Sequence, residues 1–337
     1  MKQSIAQMKV LVTGGAGYIG SHMAKYLIEK NCIVTVLDNL STGHLHAVKK
    51  CNFVEGDLAD QKLMGKVFSE TQFDAVFHFA AFSQVGESVE YPLEYFRNNV
   101  SNTASLLHVM KQAEVNYLVY SSSAAVYGIP ASNYVSETDP TNPINPYGRS
   151  KLVVEKLIED CSAAGDLKAV CLRYFNAAGA DPQAGLGECH EPETHLIPLV
   201  LQVASGKKKK ITVYGDDYET PDGTCIRDFI HVRDLCEAHW LGLRQLMQKN
   251  TKYSIYNLGN GEGFSVLKVI SCSREVTGKE IKCVLAKRRP GDPARLVANT
   301  SLARKELGWC PKYSDIKKII EDAWIWERTM ASAMSKR

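Results

Sequence analysis

Apolar residues follow two rhythms in the first half of the chain. Residues 9–15 (KVLVTGG), 32–39 (CIVTVLDN), 74–81 (DAVFHFAA), 116–123 (NYLVYSSS) and 168–176 (KAVCLRYFN) are short, nearly continuous apolar runs. Such runs predict strands buried on both faces, and residues 52–58 (NFVEGDL) predict a shorter one. Between them, SHMAKYLIEKN and NTASLLHVMKQA place apolar side chains at helical spacing. Strands alternating with helices predict βαβ units, right-handed crossovers and a parallel sheet covered on both faces. The expected fold is α/β, a Rossmann-type doubly wound parallel sheet.

After about residue 179 the rhythm changes. Residues 180–195 (ADPQAGLGECHEPETH) are rich in Gly, Pro, Asp and Glu and predict a loop. Short strands, turns and helices follow, ending in SDIKKIIEDAWIWERT. At 337 residues the chain is long enough for two domains. The expected division is residues 1–179 as a dinucleotide-binding domain and 180–337 as a smaller mixed α/β substrate domain. The segment from about 226 to 260, which includes IRDFIHVRDLCEAHWLGL, has a strand-then-helix pattern and is expected to return to the first domain.

Composition narrows the classes. A net charge of +3 gives no reason to expect a nucleic-acid or membrane partner. The basic run at residues 207–210 reads as a solvated loop. No apolar stretch is long enough to span a membrane. The N-terminal MKQSIAQMKVLVTGG carries no signal-peptide cleavage pattern, so a cytoplasmic location is expected. Ten cysteines occur without a C-x-x-C pair, and no H-E-x-x-H occurs, so neither a disulfide framework nor a metal site is expected.

The first candidate chemistry is VTGGAGYIGSH. Gly14, Gly17 and Gly20 lie between a predicted strand and a predicted helix. Glycines there let the backbone turn tightly against a pyrophosphate, and the helix start (Tyr18, Ile19) points free N–H groups at it. Asp38 ends the second strand, where a carboxylate accepts hydrogen bonds from ribose hydroxyls and repels a 2′-phosphate by roughly 4 kcal/mol at 4 Å. No Arg follows it, so NAD is expected rather than NADP. The alternative for Asp38 is a turn cap. Asp57, at the end of the third strand, is expected near the adenine.

The second candidate is NPYGRSK. Tyr147 and Lys151 stand one helical turn apart on one face. Beside an NAD site they form a plausible acid/base pair, with Lys151 and the oxidised nicotinamide supplying the positive charge that lowers the phenol pKa. The plainer alternative is a surface pair. Ser123 follows a strand end and is placed to hydrogen-bond the same substrate hydroxyl, while Ser121 and Ser122 read as strand-end caps.

These motifs, with LDNLSTG, VEGDL, HFAA, VGESV, PLEYFRNN, SSSAAVYG, LRYFNAAGA, DGTCIRDFIHV, YNLGNGEGFSV and RRPGD, resemble the UDP-glucose 4-epimerase family of the extended short-chain dehydrogenase/reductases. The resemblance runs from residue 8 to about 328. It implies oxidation of C4 of a UDP-hexose by bound NAD, rotation of the 4-keto sugar and hydride return to its opposite face. It implies that Tyr147 is the base, that Lys151 tunes it and holds the nicotinamide ribose, and that Ser123 orients the hydroxyl. Asn39, Leu58, Phe79, Ala80, Asn99 and Tyr174 match cofactor positions. Asn176, His195, Leu196, Arg227, Val266, Arg289 and Asp292 match positions that hold UDP, and forked guanidinium donors suit a diphosphate.

Three positions depart from the family pattern. Ser83 stands where relatives often carry Lys. His195 stands where some use Asn. Leu296 stands where a bulky Tyr in some members excludes N-acetyl sugars, which points to additional activity on UDP-N-acetylhexosamines; plain apolar packing is the alternative. The resemblance also implies a homodimer through a four-helix bundle, with NNVSNTASLLHVMKQA and GRSKLVVEKLIED as candidates, although their apolar stripes also suit their own sheet. Two rivals remain. Sugar-nucleotide dehydratases or decarboxylases place acidic groups where Ala124 and Ala125 stand, and methyl groups transfer no protons. A non-catalytic NAD sensor would have replaced Tyr147 or Lys151.

Overall fold

The computed structural model describes residues 7–334 apart from 250 and 290, with side chains to residue 330. The chain forms two compact units. The first takes in residues up to Val126 with Asn145–Arg173 and Cys236–Tyr256; the second takes in Tyr127–Ile144, Tyr174–Leu235 and residues from Asn257 onward.

The first unit is built on a seven-stranded sheet. Its order is Tyr253–Leu258, Lys168–Tyr174, Tyr117–Ser123, Ala75–His78, Lys9–Thr13, Ile33–Asp38, Asn52–Glu55. The five strands from Tyr117–Ser123 to Asn52–Glu55 pair in parallel, as their double-sided apolar runs predict. Strand order reverses at Lys9–Thr13, which has the second strand on one side and the fourth on the other. The carboxyl end of such a strand is where an open α/β sheet binds ligands.

Helices cover this sheet. Met64, Phe68, Leu106, Met110, Val154 and Ile158 pack with Leu11, Val76, Leu118 and Cys171 in one core. Each such large apolar side chain contributes about 1.5–3 kcal/mol when fully buried. The helix Pro146–Ala164 starts where NPYG predicts: Asn145 Oδ1 accepts from Gly148 N at 2.8 Å, with Pro146 in the first turn. The helix Asn102–Gln112 buries Leu106, Leu107, Val109 and Met110 in this core, so its apolar stripe faces its own unit. Exposed apolar side chains lie instead on Val85, Val89, Leu93 and Val153.

In the second unit, strand Ile226–His231 pairs antiparallel with Gly263–Ser265 and parallel with Arg295–Leu296 and Asn176–Ala178. Helices Leu196–Ala204, Val266–Thr277 and Ile316–Met334 bury Ile197, Leu201, Val269, Cys272 and Ile320 together. The predicted loop 180–195 contains a two-residue strand pair, Ala180–Asp181 with Leu186–Gly187, closed through the turn its Pro and Gly supply. Buried Asp228 ties three segments: Oδ1 accepts from Asn260 N at 2.7 Å, and Oδ2 accepts from Gly261 N and Ala298 N at 3.0 Å each. No described helix is long and apolar enough to cross a membrane.

Candidate active site

The glycine loop closes the end of the central strand. Gly14 has φ +68°, and a Cβ there would lie 2.5 Å from the Ala80 nitrogen, so the loop seats directly on the Phe79–Ala80 backbone. A Cβ on Gly20 would collide with the Gly14 carbonyl oxygen. Gly17 is the N-cap of helix Tyr18–Glu29, and no side chain caps the first turn formed by Tyr18 and Ile19. That turn presents N–H groups and the positive end of the helix dipole, the donor set a pyrophosphate needs.

Asp38 sits beside this loop. Its Oδ2 accepts from Ala16 N at 2.9 Å and its Oδ1 from Leu40 N at 2.8 Å. The turn-cap role is therefore real, and each oxygen keeps lone-pair capacity for a ribose hydroxyl. Asn39 Nδ2 donates to Asp57 Oδ2 at 2.7 Å, and Leu58 lies in the core. Asn99 is committed to protein contacts: it accepts from Phe82 N at 2.8 Å and donates to Phe82 O at 3.1 Å and Ser150 Oγ at 3.0 Å. It brackets the loop after the fourth strand to the helix that carries Tyr147.

Tyr147, Ser123 and Lys151 come together in the same unit. Ser123 lies close enough to the buried Tyr147 phenol to favour its ionised form, and Ser123 Oγ accepts from Ala125 N at 3.1 Å. Lys151 Nζ donates to Ser121 O at 2.8 Å and lies 5.0 Å above the Tyr120 ring and 5.9 Å from the Tyr147 ring. Ser121 thus anchors the lysine through its carbonyl, and Ser122 donates to Glu155 Oε1 at 2.5 Å; both do more than cap a strand. The expected lowering of the phenol pKa is not found in the chain alone. Burial raises it, and Ser123 pulls the other way. Burial also pushes Lys151 down to about 7, against the attraction of Glu155. The expectation rests on two positive charges, Lys151 and the oxidised nicotinamide, and the desolvation of both side chains works against it.

His78, which the sequence did not single out, fixes the floor of this region. Thr103 Oγ1 donates to Asn99 O at 2.6 Å, so it accepts from His78 Nε2 at 2.8 Å; Nδ1 then accepts from Thr13 Oγ1 at 2.7 Å. Burial first, then Lys151, holds the His78 pKa down at about 3, and the ring stays neutral.

In the second unit the four-stranded sheet gathers residues far apart in sequence. Arg227 pairs in register with Leu296, Ser265 with Ile226, and Asn176 with Phe229. Val266 opens the helix capped by Ser265. Asn176 Nδ2 donates to Asp228 O at 2.8 Å. Arg227 forms an ion pair with Asp292, whose N–H donates to Arg289 O at 3.2 Å, and the Arg289 guanidinium lies 4.0 Å above the Tyr214 ring. Leu296 is half-buried, as is Tyr174, the last residue of its strand. Leu196 opens a helix, and His195 precedes it, paired with Glu188 and Glu193.

A glycine loop at a strand switch point, a strand-end carboxylate and a buried Tyr–Lys–Ser group define an NAD-dependent enzyme of the Rossmann class. Residues 10–259 match the model of the NAD dependent epimerase/dehydratase family, and the chain belongs to that family. It is 50% identical over 321 residues to the UDP-glucose 4-epimerase of Halalkalibacterium halodurans, covering 95% of this chain and 96% of the relative. It is similar to the crystal structure of UDP-glucose 4-epimerase from Brucella ovis in complex with NAD: TM-score 0.91, 47% identity, 94% of this chain and 97% of that one. The UDP-Glc/GlcNAc 4-epimerase of Campylobacter jejuni superposes with TM-score 0.84 at 43% identity, covering 96% and 99%.

Proposed function

We propose that this protein is an NAD-dependent UDP-glucose 4-epimerase that interconverts UDP-galactose and UDP-glucose. The observation that carries the reading is the buried Tyr147, one helical turn from Lys151 and beside Ser123, in the unit whose glycine loop is shaped for a dinucleotide. The loop amides at Gly17–Gly20 hold the pyrophosphate, Asp38 the adenosine ribose, and Lys151 the nicotinamide ribose. Bound NAD⁺ supplies a hydride acceptor that later returns the hydride, and its positive ring favours the phenolate of Tyr147. Ser123 aligns the sugar 4-hydroxyl, and Tyr147 takes its proton and gives it back after the sugar turns over. Arg227 and Arg289 bind the diphosphate, with Asn176, His195, Leu196, Val266 and Asp292 completing the UDP contacts. Arg227 must then share its guanidinium between Asp292 and the phosphates.

Ala124 and Ala125 place methyl groups where a dehydratase needs proton donors, so the reaction ends with hydride return. Purified protein given UDP-galactose without added cofactor should yield UDP-glucose, and denaturing it should release NAD. NADP in that extract, or a product lighter by one water, would overturn the assignment.

We also propose a homodimer and a place in galactose metabolism in the cytoplasm. The dimer is supported by the exposed apolar group Val85, Val89 and Leu93, on two short helices packed against Pro146–Ala164, with Val153 on that helix. Leu93→Asp should give a monomer by sedimentation; an unchanged mass would remove this face from the interface.

A further inference from the structure

The segment ECHEPETH has no role above apart from His195. It runs from the strand Leu186–Gly187 to the helix Leu196–Ala204, within the second unit. It brings Glu188, His190, Glu193 and His195 together, one ligand atom from each lying within 4.8 Å of the others. His195 Nδ1 is 2.6 Å from Glu188 Oε1 and 3.2 Å from Glu193 Oε1, and His190 Nδ1 is 3.1 Å from the same Glu188 oxygen. The carboxylate side chains are only 6% and 5% exposed, against 23% and 45% for the two imidazoles.

Exposed Glu–His pairs are ordinary. Two enclosed carboxylates, Glu188 turned onto both imidazoles and Glu193 onto that of His195, are not, because burying a carboxylate costs several kcal/mol unless its charge is matched. The backbone holds the arrangement in place. Trp326 Nε1 donates to Glu188 O at 2.8 Å, and the Trp326 ring lies against Gly187 so closely that no Cβ fits. Glu193 Oε1 accepts from Thr194 N at 2.7 Å and His195 N at 2.8 Å. The four donors are therefore largely placed before any ligand arrives.

We propose that Glu188, His190, Glu193 and His195 bind one divalent transition-metal ion, zinc by the nature of the donors. Two imidazole nitrogens and two carboxylates are a four-coordinate zinc set, with bonds of about 2.0–2.2 Å. A tetrahedron of that size puts its ligand atoms roughly 3.4 Å apart. The closest pair, at 2.6 Å, widens by about 0.8 Å, and the more distant ones, all inside 4.8 Å, close up. Calcium wants six to eight oxygens, more than these side chains offer. The two carboxylate charges balance a doubly charged ion. The spacing E-x-H-x-x-E-x-H is neither C-x-x-C nor H-E-x-x-H, so a search for those patterns passes over it. Coordination through Nδ1 of His195 leaves its Nε2 for the proposed UDP contact.

The test uses the NAD-bound enzyme, cleared of metal with a chelator, given zinc chloride and separated by gel filtration. The expected content is one zinc ion per chain. His190→Gln and Glu193→Gln should each weaken zinc binding by about tenfold or more. Serine at Cys189, Cys283 and Cys310 should leave it intact. A crystal of the zinc-loaded wild type should show an anomalous peak among the four side chains. Zinc content at the buffer level, zinc kept by His190→Gln but lost with the cysteines, or an anomalous peak elsewhere would each overturn the proposal.

Discussion

Glu155 and Arg173 form an ion pair inside the first unit, Oε2 to Nη2 at 2.6 Å, with 1% and 4% of their side chains exposed. Arg173 Nε reaches Glu155 Oε1 at 2.9 Å, and Ser122 Oγ donates to that same oxygen. The pair joins three elements: the strand before the catalytic loop, the helix carrying Lys151 and the strand Lys168–Tyr174. Desolvating two charges offsets most of their attraction, so the pair adds little to stability as a whole. Removing one partner is different, because the other is left charged and enclosed. Glu155→Ala should lower the unfolding free energy by about 3–5 kcal/mol. The double change Glu155→Leu with Arg173→Leu should lower it much less. Urea unfolding of both variants checks this; equal losses would show that packing, not charge, is what the pair supplies.

Glu155 also lies one turn beyond Lys151, and its charge is the main influence opposing the burial that lowers Lys151 from 10.5 to about 7. A lysine whose pKa falls on folding binds fewer protons in the folded state than in the unfolded state between those two values. Its contribution to stability therefore rises with pH across the window from about 7 to 10.5. Lys151→Met removes that dependence. In NAD-stripped protein, wild type should gain stability relative to Lys151→Met as pH increases from 7 toward 10. A constant difference across that range would mean that Lys151 keeps its ordinary pKa in the folded chain.

Tyr147→Phe keeps the ring that packs beside Ser123 and removes the hydroxyl proposed to exchange a proton with the sugar. The fold and the bound NAD should persist, because the loop at Gly14–Gly20 and Asp38 do not depend on that hydroxyl. Turnover of UDP-galactose should fall by about 10²–10⁴-fold, the usual cost of losing a general base. Near-normal turnover would move the proton-transfer role to another group.

Much of the first unit was legible because its signals are local. A short apolar run rich in β-branched residues and flanked by turn residues reads as a buried strand, and a glycine loop between strand and helix marks where phosphate donors are expected. Asp38 and the Tyr147–Lys151 spacing are likewise read within a few residues of one another. Asp228 was not legible, since its three N–H partners come from residues 260, 261 and 298. Nor was His78, whose tautomer is set by threonines at 13 and 103. The burial of the Tyr147 phenol was not legible for a related reason. The spacing of Tyr and Lys is written in sequence, whereas the burial that raises the phenol is made by the whole fold.

Leu296 sits in the strand Arg295–Leu296, in register with Arg227 of the proposed diphosphate site. Leu296 is half-buried, and its side chain is shorter than tyrosine and carries no hydroxyl. If it stands beside the sugar 2-substituent, the pocket has room for an N-acetyl group, and the protein should epimerise UDP-N-acetylglucosamine as well as UDP-glucose. Leu296→Tyr fills that space. Overpacking a tight site costs about 1–3 kcal/mol, or roughly 5- to 150-fold in binding. The variant should lose the N-acetyl activity by a factor in that range while keeping kcat/KM for UDP-galactose within about twofold of wild type. Steady-state assays with both substrates decide the matter. Equal losses on both would make Leu296 a packing residue of its strand, and a wild type inactive on the N-acetyl sugar would place the closing wall on another side chain.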